Sequence, residues 1–352
     1  MSRYWSDVVT QLTPYVPGEQ PKLSRLVKLN TNEHPYPPAP GVLRAIASVE
    51  GDAIRRYPDP ESLELREAFA RRNNLQAEQV FLGNGSDEVL AHIFQALFKH
   101  QLPLLFPDIT YSFYPVWCEL YQVSWRAVPL KADFTVDPAD YRVDNSGIII
   151  PNPNAPTGVL MELDTVRTLL EQNPDSVVVI DEAYIDFGGD SAVALIPEFD
   201  NLLVVQTMSK SWALAGLRVG VAMGHSELIE GLQRVKNSFN SYPLDVVAQR
   251  AALAALADES YFDSSCRRVV ASRERLGAAM VALGFEVLPS AANFIMARHV
   301  DRPAAELFEE LRGRGIIVRY FDRPRIDEYL RISIGTDEQC DELLSALAEL
   351  VS

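Results

Sequence analysis

Short apolar runs and helical stripes take turns along the middle of this chain. Runs rich in Val, Ile and Leu occupy positions 80–82, 104–107, 123–130, 147–151, 176–181, 202–206 and 218–223. Apolar residues on successive positions, without polar alternation, predict strands buried on both faces. Between them the spacing becomes helical. Residues 61–73 carry Leu63, Leu65, Ala68 and Phe69, and the stretch after Glu88 sets Val89, Leu90, Ile93, Phe94, Leu97 and Phe98 on one stripe. A short helix is predicted over 137–141. Alternation of strand and helix from about Val80 to Gly224 predicts an α/β fold with a mostly parallel, doubly wound sheet. In such a sheet, ligands bind beyond the carboxyl ends of the strands.

The pattern changes after Gly224. Helices are predicted over 228–235, 246–256 and 261–283, the last closed by Gly284. Strands over 285–288, 293–297, 316–321 and 329–334 then mix with helices over 303–312 and 337–350, which reads as a smaller α+β domain. The first twenty residues read as a short helix broken at Pro14 and Pro17-Gly18, and the segment LNTNEHPYPP (29–38) is too proline-rich for a regular helix. The expected division is a large domain over 45–260 and a small one formed by 1–44 with 261–352.

Composition narrows the function classes. The chain has 352 residues, 47% of them hydrophobic, enough for a sizeable core. Its net charge of −16 argues against nucleic acid or an anionic membrane as a partner, while leaving room for anionic substrates held by local arginines. Cys118, Cys266 and Cys340 are scattered and fit no metal or CxxC spacing, so they read as free thiols in a reducing compartment. No apolar leader and no membrane-length run is visible, which gives a cytoplasmic protein as the expectation.

Candidate chemistry gathers at the predicted strand ends. The segment TMSKSWALAGLRVG (207–220) places Lys210 among small and hydroxylated residues after a buried strand. A lysine amine becomes a nucleophile once desolvation or nearby cations free it from its proton. Arg218 can supply such a cation and can also grip a phosphate with its planar fork, and Ser209 adds a hydroxyl. Together they suit a phosphorylated aldehyde bound as a Schiff base, although a lone loop lysine is ordinarily a solvated charge. Upstream, VVIDEAY (178–184) ends a strand in Asp181, which can pair with a protonated pyridine nitrogen, and Tyr184 can reach a ring oxygen. The loop PNPNAPTG (151–158) offers the Asn154 amide for the same oxygen. GNGSDE (83–88) is a strand-to-helix turn whose Ser86 and Asp87 amides can cradle a phosphate. The side chains of Asp87 and Glu88 repel such a group and are expected to turn away. Tyr111 follows another strand and reads either as a ring to stack on a flat ligand or as a core aromatic. Arg319 and Arg331 interrupt apolar strands and read as an anion clamp or as structural arginines.

PNPNAPTG, VVIDEAY and TMSKSWALAGLRVG, in that order and over nearly the whole chain, resemble the fold-type I, pyridoxal-phosphate-dependent aminotransferases. Within them the similarity points to the histidinol-phosphate aminotransferases. The resemblance implies that Lys210 carries the cofactor and moves the proton, with Asp181 on the ring nitrogen. It implies Asn154 and Tyr184 on the ring oxygen, Tyr111 against the ring, and Ser86, Asp87, Ser209 and Arg218 around the phosphate. Tyr57, in YPDP (57–60), matches a tyrosine that crosses to the other subunit's phosphate, which implies a homodimer with shared active sites. Tyr36 matches a residue that meets substrate. Arg331 is implied at the α-carboxylate of glutamate or 2-oxoglutarate, and Arg319 and Arg331 together at the phosphate of histidinol phosphate. The segment 238–244 is similar to a loop near the pocket, without assigned atoms. Alternatives on the same scaffold are an aromatic amino-acid aminotransferase and a threonine-phosphate decarboxylase-like lyase. A non-catalytic, cofactor-binding regulator would add a DNA-binding domain, for which this acidic chain has no spare N-terminal length.

Overall fold

The computed structural model describes residues 2–21 and 26–352; Met1, where the N-terminal helix reading began, lies outside them. That helix is Asp7–Gln11, and the arm then contributes a two-residue strand, β1 (Val27–Lys28). The main sheet holds β2 (Val80–Asn84), β3 (Leu104–Pro107), β4 (Trp125–Val128), β5 (Gly147–Pro151), β6 (Val178–Asp181), β7 (Leu202–Thr207) and β8 (Val219–Gly224). Their order across the sheet is β2-β8-β7-β6-β5-β3-β4. Strands β3 to β7 are all parallel, and β8 runs antiparallel to both of its neighbours.

The unbroken apolar runs are explained by what covers each face. Ile148, Ile150, Val178, Ile180, Leu202 and Val204 point into one core, shared with the helices Leu63–Arg72, Leu163–Gln172 and Val246–Leu256. Ile149, Val179, Leu203 and Val205 point into the other, against the helices Gly85–Leu97 and Ser226–Phe239. Helices on both faces leave no wet side, so no polar alternation is needed. The edge strand β4 is the exception. Its first residues are exposed, and it is shorter than the run predicted over 123–130 because only β3 pairs with it.

From β3 the chain goes to β4 on one side and returns to β5 on the other. This reversal opens a crevice at the carboxyl ends of β3 and β5. A second close approach shapes the crevice. Strand β2 enters the helix Gly85–Leu97 with no loop, through Gly85 at φ +78°. A Cβ at Gly220 would overlap the backbone of Gly85 and Ser86, so only glycine lets β8 lie against that helix start.

The long helix Glu259–Ala282 leads to a second sheet and a separate apolar core. Here β9 (Phe285–Val287), β10 (Phe294–His299), β12 (Arg319–Tyr320) and β13 (Leu330–Ser333) form an antiparallel sheet in the order β12-β13-β10-β9. The single strand expected over 316–321 is two. Strand β11 (Ile316–Ile317) pairs with β1 of the arm, and after Val318 the chain changes partner to β13. No helix among the described residues is long and apolar enough to cross a membrane.

Candidate active site

A cavity of about 370 Å³ opens at the crevice described above. Of the side chains singled out from sequence, Ser86, Asp87, Tyr111, Asp181, Tyr184, Ser209, Lys210, Arg218, Arg319 and Arg331 line it. They come from the ends of β2, β3, β6 and β7, from the turn into β8, and from β12 and β13.

Asp181 is the last residue of β6 and is buried. Its Oδ2 accepts a hydrogen bond from the hydroxyl of Tyr114 at 2.8 Å, while Oδ1 is buried without a partner. Burial pushes its carboxyl up to about 6; the Tyr114 hydroxyl works against that shift. Lys210 sits in the turn after β7 and donates to the backbone carbonyl of Thr31 at 3.1 Å. Tyr184 accepts from Asn32 Nδ2 at 3.1 Å, which leaves its own hydroxyl proton free for a ligand.

Arg218 is held in left-handed backbone, φ +52°, between the short turn Ala215–Leu217 and β8. This aims the guanidinium across Gly85, where any Cβ would collide with it. It meets Asp87 Oδ2 at 2.8 Å and Ser209 Oγ at 3.4 Å. Asp87 therefore does not turn away as expected. Its carboxylate faces the cavity, neutralised by Arg218, and also accepts from the Tyr111 hydroxyl at 3.1 Å. Glu88 does turn back, accepting from the backbone N–H of Asn84 at 2.5 Å. Burial, then the neighbouring Asp87 carboxylate, pushes the Tyr111 hydroxyl well up, so it stays protonated as a donor.

Arg319 and Arg331 stand directly opposite each other across β12 and β13. Each guanidinium lies 5.4 Å from the centre of the Phe321 ring, which also lines the cavity. Arg331 donates to the carbonyl of Asn30 at 2.7 Å, and its Nε is buried without a partner. Burial pulls its charge-bearing form down, and Arg319 adds to that effect. Neither arginine has an ion pair with a carboxylate among the described residues. Like charges facing across a strand pair repel, so this arrangement favours an anion between them.

Three residues singled out from sequence are not in the cavity wall. Asn154 is buried just behind it, donating to Ile109 O at 3.2 Å and to Thr157 Oγ1 at 2.9 Å, with Oδ1 unpartnered. Its free amide atom is thus an acceptor. Tyr36 lies under the Arg268 guanidinium, 3.6 Å from its ring centre, and packs on the second core. Tyr57 is 81% exposed and stacks on Tyr242 of the 238–244 loop, with ring centres 4.6 Å apart.

Sequence reasoning missed other members. From the arm, Asn30, Thr31 and Asn32 reach the cavity, as does Tyr15, which stacks on Phe113 at 4.7 Å. Asn32 also accepts from Ser333 Oγ, tying the arm to β13. LNTNEHPYPP marked this stretch, but the contact is made by its first half. Tyr114 carried no signal beyond its closeness to Tyr111.

The model of the family described as aminotransferase class I and II matches residues 24–347. The chain belongs to that family. A protein of Dechloromonas aromatica named histidinol-phosphate aminotransferase 2 is 60% identical to it over 99% of both chains. One of Bordetella parapertussis, named histidinol-phosphate aminotransferase 1, is 58% identical over the full length of both. The crystal structure of histidinol-phosphate aminotransferase from Sinorhizobium meliloti in complex with pyridoxal-5'-phosphate superposes with a TM-score of 0.88. It is 25% identical and covers 100% of this chain and 98% of that one.

This aminotransferase works with pyridoxal phosphate, and its cavity fits that group. The unpartnered, buried Asp181 Oδ1 is the acceptor a ring N–H requires. The Ser86 and Asp87 amides open the helix Gly85–Leu97, and Ser209 with Arg218 stands beside them, as a phosphate requires. Lys210, in the same cavity, has the kind of amine that an aldehyde condenses with.

Proposed function

We propose that this aminotransferase moves the amino group of L-histidinol phosphate to 2-oxoglutarate, giving imidazole acetol phosphate and glutamate, in histidine biosynthesis. The pairing of Arg319 with Arg331, in the same cavity as Lys210 and without a carboxylate partner among the described residues, carries this reading. The shared name of the full-length relatives supports it. A donor that has a phosphate and no α-carboxylate needs such a clamp, and glutamate, whose carboxylate Arg331 takes, can share it. Tyr15, Tyr111 and Phe321 give the cavity an aromatic wall for an imidazole ring.

Pyridoxal phosphate supplies a carbonyl that condenses with amines and a protonated ring that takes up negative charge from the substrate carbon. The protein's residues do the rest. Lys210 would hold the aldehyde and, with its amine free, would remove and return the substrate proton as base and acid. Asp181 keeps the ring nitrogen protonated, which requires its carboxyl to be ionised. Tyr184 donates to the ring oxygen, and Asn154 stands behind it. Tyr111 lies against the ring. The amides of Ser86 and Asp87, with Ser209 and Arg218, hold the phosphate. Tyr36 keeps the arm in place over the pocket rather than touching the donor.

The same reading makes the enzyme a homodimer in which Tyr57 completes the other subunit's phosphate site. Exposed apolar side chains at Ile54, Tyr57, Phe239 and Tyr242 support a surface that a second copy covers. The core at the second sheet, separate from the two that flank the main sheet, supports a large domain over 45–260 and a small one over 1–44 with 261–352. Three buried free cysteines support a reducing, cytoplasmic setting.

Rapid mixing of the holoenzyme with histidinol phosphate, phenylalanine and aspartate tests the substrate. Histidinol phosphate should discharge the cofactor's visible band fastest. Lys210→Ala should lose that band and more than about a thousandfold in turnover. A native enzyme that prefers phenylalanine would favour the second reading, an aromatic amino-acid aminotransferase, which the aromatic wall also suits.

A further inference from the structure

The cavity has two walls that come from distant parts of the chain, and one side chain ties them together. One wall is the segment after β3, where Thr110, Tyr111 and Ser112 line the cavity. The other is the segment from β12 to β13, with Arg319, Phe321 and Arg331. Between β12 and β13 the chain runs back over the first wall. There Arg325 adopts left-handed backbone, φ +73°, which a residue with a Cβ holds only when its surroundings compensate.

Those surroundings are specific. The Arg325 guanidinium donates to Asp108 Oδ2 at 3.0 Å, to Leu130 O at 3.0 Å and to Lys131 O at 2.6 Å. Its carbon also lies 5.3 Å from the centre of the Phe134 ring. Asp108 is not a passive partner. Its Oδ1 accepts from the backbone N–H groups of Ile109 and Leu130, at 3.0 and 2.9 Å, so it fixes the start of the segment that carries Tyr111. Beside this ion pair, Ile326 and Tyr329 pack with Ile109, Leu130 and Phe134 in a small apolar cluster of their own. Most surface ion pairs contribute little. This one differs because a planar fork meets three acceptors that are themselves backbone-anchored.

We propose that Arg325 is a positioning residue: by clasping Asp108 and the 130–131 carbonyls it sets how far Arg319 and Arg331 stand from the Tyr111 wall. It thereby selects donors whose anionic group reaches the arginine pair. The inference rests on the clamp role proposed for Arg319 and Arg331. It concerns span, not chemistry: nothing in the clasp touches Lys210 or Asp181, so donors without an anion at the arginine pair should not sense it.

The test compares histidinol phosphate with L-histidinol, which differs only in lacking the phosphate. In Arg325→Gly, which relieves the left-handed backbone while removing the fork, the kcat/KM ratio of the two donors should fall about tenfold through KM, as expected for losing a charged hydrogen-bond set. Cofactor affinity and the visible spectrum should stay as in the native holoenzyme. Arg325→Lys, with a single ammonium in place of the fork, should fall between. Asp108→Asn, which keeps an acceptor for Ile109 and Leu130, should shift the ratio in the same direction and serves if Arg325→Gly does not fold. An unchanged ratio, or equal losses with both donors, would overturn the clasp. A native enzyme that ignores histidinol phosphate would overturn the substrate reading alone; glutamate against its amino alcohol, which lacks the α-carboxylate that Arg331 takes, then reads the clasp with the same two outcomes.

Discussion

Tyr114→Phe removes one oxygen atom, and the effect should be read in the pH profile. In the native protein that hydroxyl and the Asp181 carboxylate are both buried, 2.8 Å apart. Burial has already raised the Asp181 carboxyl to about 6, with the Tyr114 hydrogen bond and the Ala183 backbone N–H holding it down. A hydrogen bond to a charged, buried acceptor is worth about 1.5–3 kcal/mol, and about 1.4 kcal/mol corresponds to one pH unit. Deleting the hydroxyl should therefore raise the carboxyl by about one to two further units. A bound, positively charged ring nitrogen lowers native and variant values together and leaves their difference. The protonated carboxyl cannot keep that nitrogen charged, so activity is lost as pH falls through the Asp181 value. The assay is kcat/KM for the first half-reaction between pH 5 and 9, followed by the cofactor band. The acid limb of Tyr114→Phe should move up by about one to two units, with activity recovering toward the native level at the alkaline end. An acid limb that stays in place, with a uniform loss at every pH, would refute the account and leave Tyr114 a packing residue.

Further outcomes follow from the same geometry. Arg331→Gln should raise KM for histidinol phosphate and for 2-oxoglutarate by roughly two orders of magnitude while leaving the cofactor spectrum intact, measured by steady-state kinetics. Gly220→Ala forces β8 away from the Gly85–Ser86 backbone, so thermal unfolding should show a loss of about 1–3 kcal/mol and fluorescence titration a weaker cofactor site. Glu182, buried under Ser191, Ala192 and Gln206, has its carboxyl pushed up to about 7 by burial. A raised carboxyl favours the folded state fully below its ordinary value near 4.5 and loses that contribution as pH rises through about 7. Melting temperature should accordingly fall from pH 5.5 to 8, and less so in Glu182→Gln; equal slopes would remove Glu182 as the cause.

What could be read from the chain depended on how local its cause was. The β strands of the main sheet and the lysine loop were legible because each is specified by a few consecutive residues. Val178–Asp181 is a strand because both of its faces are covered, and Asp181 is at the site because strand ends are where this topology opens. The single strand expected over 316–321 failed for a non-local reason: Ile316 and Arg319 are three positions apart in one apolar run, yet pair with β1 and β13. Tyr114 and Asn32 failed for the same reason. Each is one polar atom whose partner lies 67 and 152 residues away, at Asp181 and Tyr184, and no periodicity records that. Asp87 shows the subtler case. Its charge was legible and so was the conflict with a phosphate, but the resolution came from Arg218, 131 positions on, which reaches it only because Gly85 has no side chain. The candidates for chemistry, Lys210 and Asp181, sit at the strand ends where the local pattern puts them. The residues that set their protonation and spacing are chosen by the folded contacts, and they are where substitution should change pH dependence and selectivity before it abolishes turnover.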